Sequence, residues 1–335
     1  MTAAPATTAL PVQDGNLAQV LQAAAEACRQ HLPAALAVVL ETDGSTYTRA
    51  GTAVLFRTSG HVGWLSGGCL EPEIERRAMA AVEHARIEWL EIDTRDDDAL
   101  FGGNAVGCRG RQRVALLPLP ALAGIEAVFQ AWLRGDAPLQ LTLHADGRIE
   151  ARCEDAATAH HLASAPVPWP APRTHWRCDW QRAPRVLLLG TGPEAGPLLP
   201  TLQGLGWRVV LHDPRASWRA RSHVGDAAVS AALSTLLQGP VVPDAALVMH
   251  HNFELDLEAL LQLAPTAVPF IGLLGPDRRR EDLFKLLPSA DAAALAPRLR
   301  SPIGLALGGR GPEAIALCIA AQLQAWRHGS PLASP

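Results

Sequence analysis

The pattern of apolar and polar residues differs between the two halves of the chain. In the first half, helical periodicity alternates irregularly with short apolar strands. Helices are predicted over 16–31, 70–85 and 121–133, and strands over 34–40, 52–57, 61–65, 87–92 and 113–117. A hairpin with its turn near Asp146-Gly147 follows. This mixture of hairpins and helices predicts an N-terminal α/β domain with a mixed sheet.

From residue 185 onward, short apolar strands and helices alternate regularly. Strands are predicted at 185–189, 207–212, 245–249 and 268–273, with a weaker one near 227–230 and a last helix over 312–326. Regular alternation requires crossover connections, which produce a parallel sheet covered by helices on both faces. The predicted fold class is therefore α/β, with a Rossmann-type doubly wound parallel sheet in the C-terminal half.

A stretch rich in Pro, Trp and Arg at 164–184 separates the two patterns. Proline at this density disfavours helices and central strands alike, so we expect an interdomain linker there. The predicted organisation is a disordered N-terminus at 1–15, an N-terminal domain at 16–163, the linker at 164–184, the Rossmann-type domain at 185–328 and a tail at 329–335.

Composition narrows the classes of function. The chain has 335 residues, of which 48% are hydrophobic and 19% charged, a balance typical of globular proteins. The net charge of -4 argues against nucleic-acid partners and anionic membranes, which require a basic surface. No apolar run is long enough to cross a membrane and the first 15 residues lack signal-peptide features, so we predict a cytoplasmic protein. The six cysteines form no Cys-x-x-Cys pair, which disfavours a structural zinc site.

A dinucleotide-binding fingerprint stands at the start of the C-terminal half. Gly190-Thr-Gly192-Pro-Glu-Ala195 follows a predicted strand and opens a predicted helix, the context that G-x-G-x-x-G/A requires. Gly190 permits a tight turn, and Gly192 lets the backbone approach a pyrophosphate at the helix N-terminus. Asp213 ends the next strand, 23 positions after Gly190, where an acidic residue meets a ribose hydroxyl. The alternative is a vestigial fold whose glycines serve only the turn.

A dinucleotide fold does not by itself establish hydride transfer. The Tyr-x-x-x-Lys pair of one large dehydrogenase class is missing, because Tyr47 is the only tyrosine and Gly51 stands where the lysine would be. An NAD(P)-dependent oxidoreductase of unknown substrate is the alternative interpretation of this chain.

Two glycine-rich segments of the N-terminal half each contain a cysteine. Ser66-Gly67-Gly68-Cys69 precedes a predicted helix, whose free N–H groups and dipole favour a thiolate, although Glu71 in its first turn opposes one. Cys108 lies in the segment 102–110 beside Arg109, a side chain that can fork onto phosphate oxygens. Thiolates also suit soft metal centres and sulfur transfer. The alternative is that both segments are tight turns with incidental buried cysteines.

These motifs and several others, in this order, resemble the XdhC/CoxI family of accessory proteins, which mature xanthine dehydrogenase and related molybdenum hydroxylases. The resemblance runs from about residue 16 to 326. The motifs that carry it are Glu41-Thr-Asp-Gly-Ser45, Gly51, Ser66-Gly-Gly-Cys69 with Glu71, Gly107-Cys108-Arg109-Gly110, Gly190-Thr-Gly192, Asp213, Phe270-Ile-Gly-Leu-Leu-Gly275 with the arginines at 278–280, and Ser301-Pro-Ile-Gly304 through Pro312-Glu313.

The resemblance implies a chaperone without turnover of its own. Such proteins hold the molybdenum cofactor, assist its sulfuration together with a cysteine desulfurase and help to insert it into a xanthine dehydrogenase-like apoenzyme; a homodimer is expected. Cys69 and Cys108 fall at the family's cysteine positions and are expected to contact molybdenum or its sulfur. The residues expected to bind the cofactor are Ser66, Gly67, Gly68, Cys69, Glu71, Gly107, Cys108, Arg109, Gly190, Gly192, Asp213 and His250.

Three positions depart from the family's pattern. Arg109 takes the third place of Gly-Cys-Gly-Gly, Pro193 stands where Gly-Ala-Gly-His has histidine, and Met249-His-His-Asn252 replaces a Thr-His-Asp loop. From the resemblance, we expect the first departure to alter local ligand geometry and the second to affect the histidine contact at the dinucleotide turn.

The cofactor is expected as molybdopterin, either alone or joined to a nucleotide through a pyrophosphate. A Rossmann turn suits the joined form as well as it suits NAD(P). His250, His251 and Asn252 follow the carboxyl end of a strand, where the crevice of such sheets lies. The alternative is that these three residues form a solvated loop. The arginine run 278–280 is flanked by acids, so a solvated helix start with internal ion pairs is its simplest interpretation.

Overall fold

The computed structural model describes residues 16–68, 70–95, 109–169, 173–221, 228–229, 232–238 and 242–329. Contacts divide the chain into two compact units, one ending at Ala183 and the other beginning at Pro184. The predicted disorder of residues 1–15 lies outside the described residues, as does the tail after Gly329. Among the described residues, no helix is both long and apolar enough to cross a lipid bilayer.

The N-terminal unit is built from two sheets and the helices that cover them. Its helices are α1 (Leu17–Arg29), α2 (Glu71–Glu83) and α3 (Ile125–Arg134). Its strands are β1 (Ala34–Gly44), β2 (Ala53–Arg57), β3 (Gly60–Val62), β4 (Arg86–Asp93), β5 (Gly110–Pro118), β6 (Leu139–His144), β7 (Arg148–Cys153), β8 (Ala156–His161), β9 (Ala163–Ser164) and β10 (His175–Trp180). The larger sheet has the order β3-β2-β1-β5-β4-β9, and the smaller one has the order β10-β6-β7-β8.

The central strand β1 is buried on both faces. Leu36 and Val38 join a core with α1 and α3, whereas Ala37 and Val39 join a second core with α2. The sheet is mixed, because β1 pairs antiparallel with β2 and β5 while β4 pairs parallel with β9. The predicted mixed α/β domain is therefore confirmed.

The prediction of a linker at 164–184 is wrong for its second half. Residues 175–180 form β10, which pairs antiparallel with β6 inside the N-terminal unit. Trp176, Cys178 and Trp180 alternate with exposed residues and are buried in the N-terminal core. This alternation is the signal of a half-buried strand. The prolines on either side of the strand conceal it in the sequence.

The C-terminal unit is a parallel sheet with helices on both faces. Its strands are β11 (Arg185–Leu189), β12 (Arg208–His212), β13 (Ala228–Val229), β14 (Ala245–Val248), β15 (Phe270–Leu273) and β16 (Leu299–Arg300). Its helices are α4 (Ala195–Gly204), α5 (Ala216–Arg221), α6 (Leu233–Leu237), α7 (Phe253–Leu263), α8 (Asp277–Leu286), α9 (Ser289–Leu295) and α10 (Pro312–Arg327).

The strand order of this sheet, β13-β12-β11-β14-β15-β16, is that of a Rossmann fold. Val186 and Leu188 face a core with α4 and α10, whereas Leu187 and Leu189 face a core with α7 and α8. The order reverses between β11 and β14, and the crevice of such a fold opens at the carboxyl ends of these two strands. The predicted Rossmann-type sheet is confirmed.

Candidate functional site

The turn after β11 meets the loop after β14 at this reversal point. Gly190 has φ +123°, and a side chain there would come within 2.8 Å of the His250 backbone nitrogen and closer still to the Met249 carbonyl oxygen. Glycine is therefore required by the contact between the two loops. The structure thus brings together three residues that the sequence placed in one site, Gly190, Gly192 and His250. We call residues 190–194, Asp213, His250 and His251 the switch-point cluster.

Asp213 ties the glycine turn to the end of β12. The carboxylate is fully buried and accepts hydrogen bonds from the backbone N–H and hydroxyl of Thr191, at 2.9 and 3.0 Å. Arg215 donates from its backbone N–H, Nε and Nη2, at 3.0, 2.9 and 2.7 Å. Burial alone would raise the pKa of this carboxyl, but the bonds from Arg215 and Thr191 hold it well below its usual range.

These contacts bear on the ribose contact predicted for Asp213. Five donors already meet the roughly four lone-pair sites that a carboxylate offers. A ribose hydroxyl would have to replace one of them. The role that the structure gives Asp213 is to hold the turn and to orient Arg215, whose guanidinium carbon lies 4.5 Å from the centre of the Trp218 ring.

A second acid, which the sequence did not single out, lies inside the turn. The Glu194 side chain is only 7% exposed, and its Oε2 lies 2.8 Å from Nε2 of His251. Burial alone would raise the pKa of Glu194, but hydrogen bonds from His251 and from its own backbone N–H hold it below the usual value. The same bond to Glu194 raises the pKa of His251 above its ordinary 6.5.

His251 adopts an unusual backbone conformation to make this contact. Its φ is +53°, in the left-handed region that costs a non-glycine residue about 1–2 kcal/mol. Its side chain is 42% exposed, so solvent weakens the pair with Glu194 relative to a buried one. This backbone conformation of His251 is set by the folded loop, so the neighbouring residues in the sequence did not predict it.

His250 is held by a buried carboxylate on α7. The residue is 2% exposed, and Oδ1 of Asp256 accepts from its backbone N–H at 3.2 Å and from its Nδ1 at 3.1 Å. The other oxygen of Asp256 accepts from Nε and Nη2 of Arg279, at 3.2 and 2.6 Å. Within the described part of the chain, Nε2 of His250 is buried without a hydrogen-bond partner. A buried, unpaired ring nitrogen is the kind of group that a ligand or water satisfies.

The interpretation of the arginine run 278–280 as a solvated helix start holds for one member and fails for another. Arg278 is 90% exposed beside Asp282, as expected. Arg279 instead reaches the buried Asp256, and its guanidinium lies 5.8 Å from the centre of the Phe253 ring. The pairing of Arg279 with Asp256 was missed because charged residues on helices are usually solvated, and only the packing of α7 against α8 brings the two together.

In the N-terminal unit, Glu71 shapes the Ser66-Gly67-Gly68 loop from inside. The buried carboxylate accepts from the backbone N–H groups of Leu65 and Ser66, at 3.2 and 2.7 Å, and from the Ser66 hydroxyl. The Ser66 hydroxyl in turn accepts from the N–H groups of Gly68 and Leu70, at 3.2 and 3.3 Å. Burial alone would raise the pKa of Glu71, but these hydrogen bonds lower it. The geometry therefore gives Glu71 and Ser66 the task of ordering the loop.

Among the described residues, little packs against Gly67 and Gly68. A side chain at Gly67 would meet no described atom within 4 Å, and the described neighbour of one at Gly68 would be the Trp64 ring at 3.9 Å. Trp64 is 54% exposed, so a flat aromatic face stands beside exposed backbone. Such a surface lets a planar ligand approach the main chain closely.

The motif around Arg109 lies against the motif Glu41-Thr-Asp-Gly-Ser45. The Arg109 carbonyl oxygen accepts from the Ser45 N–H at 3.0 Å, and Gly44 pairs with Gly110 between β1 and β5. Gln112 of β5 donates to the Thr48 hydroxyl at 3.0 Å, and Thr48 donates to the Leu65 carbonyl at 3.4 Å. These bonds bring the 41–45, 66–71 and 109–110 segments together at one end of the central strands β1 and β5.

Three predicted site residues, Cys69, Gly107 and Cys108, lie outside the described residues. Burial raises the pKa of the thiols of Cys28, Cys153 and Cys178 to about 11, so these three are poor nucleophiles at neutral pH. The described residues contain no cluster of three or more His, Cys, Asp or Glu side chains that could hold a metal ion.

Comparison with known proteins matches both units. The model of the XdhC Rossmann domain matches residues 186–323, and the model of the XdhC and CoxI family matches residues 27–93. A Bacillus subtilis protein described as a probable subunit of xanthine dehydrogenase is 27% identical, over 87% of this chain and 92% of its own length. A solved structure of a xanthine dehydrogenase from Bacillus halodurans shares the fold, with a TM-score of 0.74, 23% identity and coverage of 95% of this chain and 98% of that one. The resemblance drawn from the motifs is confirmed, and the chain belongs to the XdhC and CoxI family.

Proposed function

We propose that this chain is a cytoplasmic accessory protein of a xanthine dehydrogenase-like molybdenum hydroxylase. In this role it holds the molybdenum cofactor, works with a cysteine desulfurase while the cofactor is sulfurated, and passes the cofactor to the apoenzyme. The observation that carries the proposal is that family models match both units, and that 87% of the chain aligns with the Bacillus subtilis relative described as a probable part of xanthine dehydrogenase. Because both units match models of the same family, a function like that of the family is favoured for the whole chain.

The N-terminal unit offers the surface that fits such a cofactor. Gly67 and Gly68 expose backbone beside the aromatic face of Trp64, and a pterin is a planar ring that can lie on such a face. Arg109 follows from the neighbouring loop and would supply a fork for the cofactor's phosphate. When bound, the molybdenum cofactor supplies the redox centre of the client enzyme. The chain's own residues would bind it, orient it and limit its exposure to water.

The alternative, an NAD(P)-dependent oxidoreductase, rests on one specific observation. The Gly190-Thr-Gly192 turn lies at the reversal point of a sheet with Rossmann strand order. The charged groups nearby are paired with each other, however: Asp213 with Arg215, Glu194 with His251, and Asp256 with Arg279. This internal pairing weakens the alternative relative to the accessory role.

Cofactor binding by the purified full-length chain tests the proposal. Isolated molybdenum cofactor, NADH and NADPH are each added to wild type, Cys69→Ala and Cys108→Ala, and the bound fraction is measured by anaerobic ultrafiltration. Cys28→Ala is the matched control, since burial raises the pKa of the Cys28 thiol to about 11 and disfavours its thiolate at neutral pH. Light scattering on the same samples measures whether the 35.6 kDa chain forms the proposed homodimer.

We expect tight binding of the molybdenum cofactor that each loop cysteine variant weakens at least tenfold, about 1.4 kcal/mol. Cys28→Ala should bind as wild type does. Binding of NADH or NADPH without binding of molybdenum cofactor would contradict the accessory role. Cofactor binding that neither cysteine variant changes would retain the role but move the site away from the two loops.

A further inference from the structure

A dinucleotide makes three demands on the turn of a Rossmann fold. Its pyrophosphate needs free N–H groups at the helix N-terminus, and it needs a glycine whose Cα is open to the phosphate oxygens. Its adenosine ribose needs an acid with a free oxygen. The contacts of the switch-point cluster show whether these three requirements are met.

Most donors of the turn are already used. The Thr191 N–H binds Asp213, the Ala195 N–H binds the Gly192 carbonyl at 3.0 Å, and Pro193 has no N–H. Oε2 of Glu194 lies 3.2 Å from the Cβ position of Gly192 in this turn, and its carboxylate is paired with His251. An internal anion thus occupies the start of α4, the place where a helix dipole and free amides would otherwise favour a phosphate.

The open side of Gly192 is also filled. A Cβ at this glycine would lie 2.9 Å from Cδ2 of His251, 3.1 Å from its Nε2 and 3.2 Å from Oε2 of Glu194. In a dinucleotide-binding turn the backbone at this glycine approaches the pyrophosphate. Here it approaches a carboxylate and the imidazole that neutralises it. The ribose acid, Asp213, meets five donors from Thr191 and Arg215.

We propose that Glu194 is the resident anion of this turn and determines its specificity, by excluding ligands that carry a pyrophosphate. The carboxylate takes the anion position, and His251 holds it there across 57 positions of sequence. A nicotinamide dinucleotide would have to displace a buried carboxylate and leave His251 without its partner. The inference concerns the C-terminal unit alone, so it stands or falls independently of molybdenum-cofactor binding at the N-terminal loops.

Titration of the full-length chain with ADP tests this directly, because ADP carries the ribose and pyrophosphate of a dinucleotide without its redox group. Wild type, Glu194→Gln and Glu194→Ala are compared by calorimetry. Glu313→Gln is the matched control, since Glu313 is an exposed acid in the first turn of another helix, α10. The Gln variant removes the charge and keeps the shape of the side chain.

We expect no saturable ADP binding to wild type or to Glu313→Gln, and saturable binding to Glu194→Gln with a Kd at least tenfold below the highest ADP concentration at which wild type shows none. The proposal would be overturned if wild type binds ADP as tightly as Glu194→Gln does. It would also be overturned if neither protein binds ADP. If the Glu194 variants do not fold, wild type still decides the matter. A saturable rise of its melting temperature with ADP or NADH would refute the exclusion, and no rise would support it.

Discussion

Replacement of Asp256 should destabilise the C-terminal unit more than any surface change on the same helix. The carboxylate is fully buried and accepts four hydrogen bonds, two from His250 and two from Arg279. Asp256→Ala leaves the buried His250 N–H unpaired, which costs about 1–3 kcal/mol. Arg279 is 23% exposed and can turn toward water, so the loss of its two bonds adds only about 1–1.5 kcal/mol. We expect a total of about 3 kcal/mol.

The isosteric change separates the two contributions. In Asp256→Asn the amide oxygen can still accept from His250, but the amide nitrogen faces the donors of Arg279. The expected cost is therefore about half, roughly 1.5 kcal/mol. Glu258→Ala on the same helix is the control, because this acid is exposed and, within the described part of the chain, accepts one bond, from Gln262 at 3.1 Å. It should change stability by no more than about 0.5 kcal/mol.

Hydrogen exchange measured by mass spectrometry reports each unit separately, which a single melting curve of a two-unit chain does not. Peptides from α7 should show the loss of protection, whereas peptides from β5 in the N-terminal unit should keep theirs and serve as the internal reference. A cost below about 1 kcal/mol for Asp256→Ala, or equal costs for Ala and Asn, would refute the assignment of Asp256 as the buried anchor of His250.

Three further predictions follow from other contacts. Glu71→Gln should lower stability by about 1–2 kcal/mol at neutral pH, since a glutamine cannot satisfy every donor of the loop. Because the pKa of Glu71 is lowered from 4.5, the difference in stability between wild type and Glu71→Gln should be fully present above about pH 4.5. It should shrink as the pH falls through the lowered pKa. Thermal melts in which this difference does not depend on pH would contradict the prediction. The His251 imidazole should titrate above 6.5 in NMR spectra and return toward that value in Glu194→Gln, and an unchanged titration would show that the two side chains do not pair in solution. Arg298 donates to five backbone carbonyls, four of them at and after the end of α7. Arg298→Met should therefore lower the free energy of unfolding, measured in urea, by about 3 kcal/mol. Full rescue by Arg298→Lys would contradict this reasoning, because it would show that the charge matters and the five hydrogen bonds do not.

The sequence alone determined the parts of the fold that local pattern controls. Short apolar runs identified five of the six described strands of the C-terminal sheet, all but β16, and the glycines at 190 and 192 marked the turn at the sheet's reversal point. Ordered motifs in both units identified the family. The alternation of Trp176, Cys178 and Trp180 was visible too, but the prolines on either side led to the prediction of a linker instead of β10. Proline disfavours a strand at its own position and not at the residues beside it.

Only the tertiary structure decided which polar and charged groups pair with each other. Glu194 and His251 are 57 positions apart, Asp256 and Arg279 are 23 apart, and Thr191 and Asp213 are 22 apart. Residue type and strand-end position place such groups near a crevice, yet they do not say whether a carboxylate faces a ligand or a side chain of its own chain. That outcome depends on loop backbone angles and on how helices pack across the sheet, and both are set by long-range contacts that no local pattern encodes.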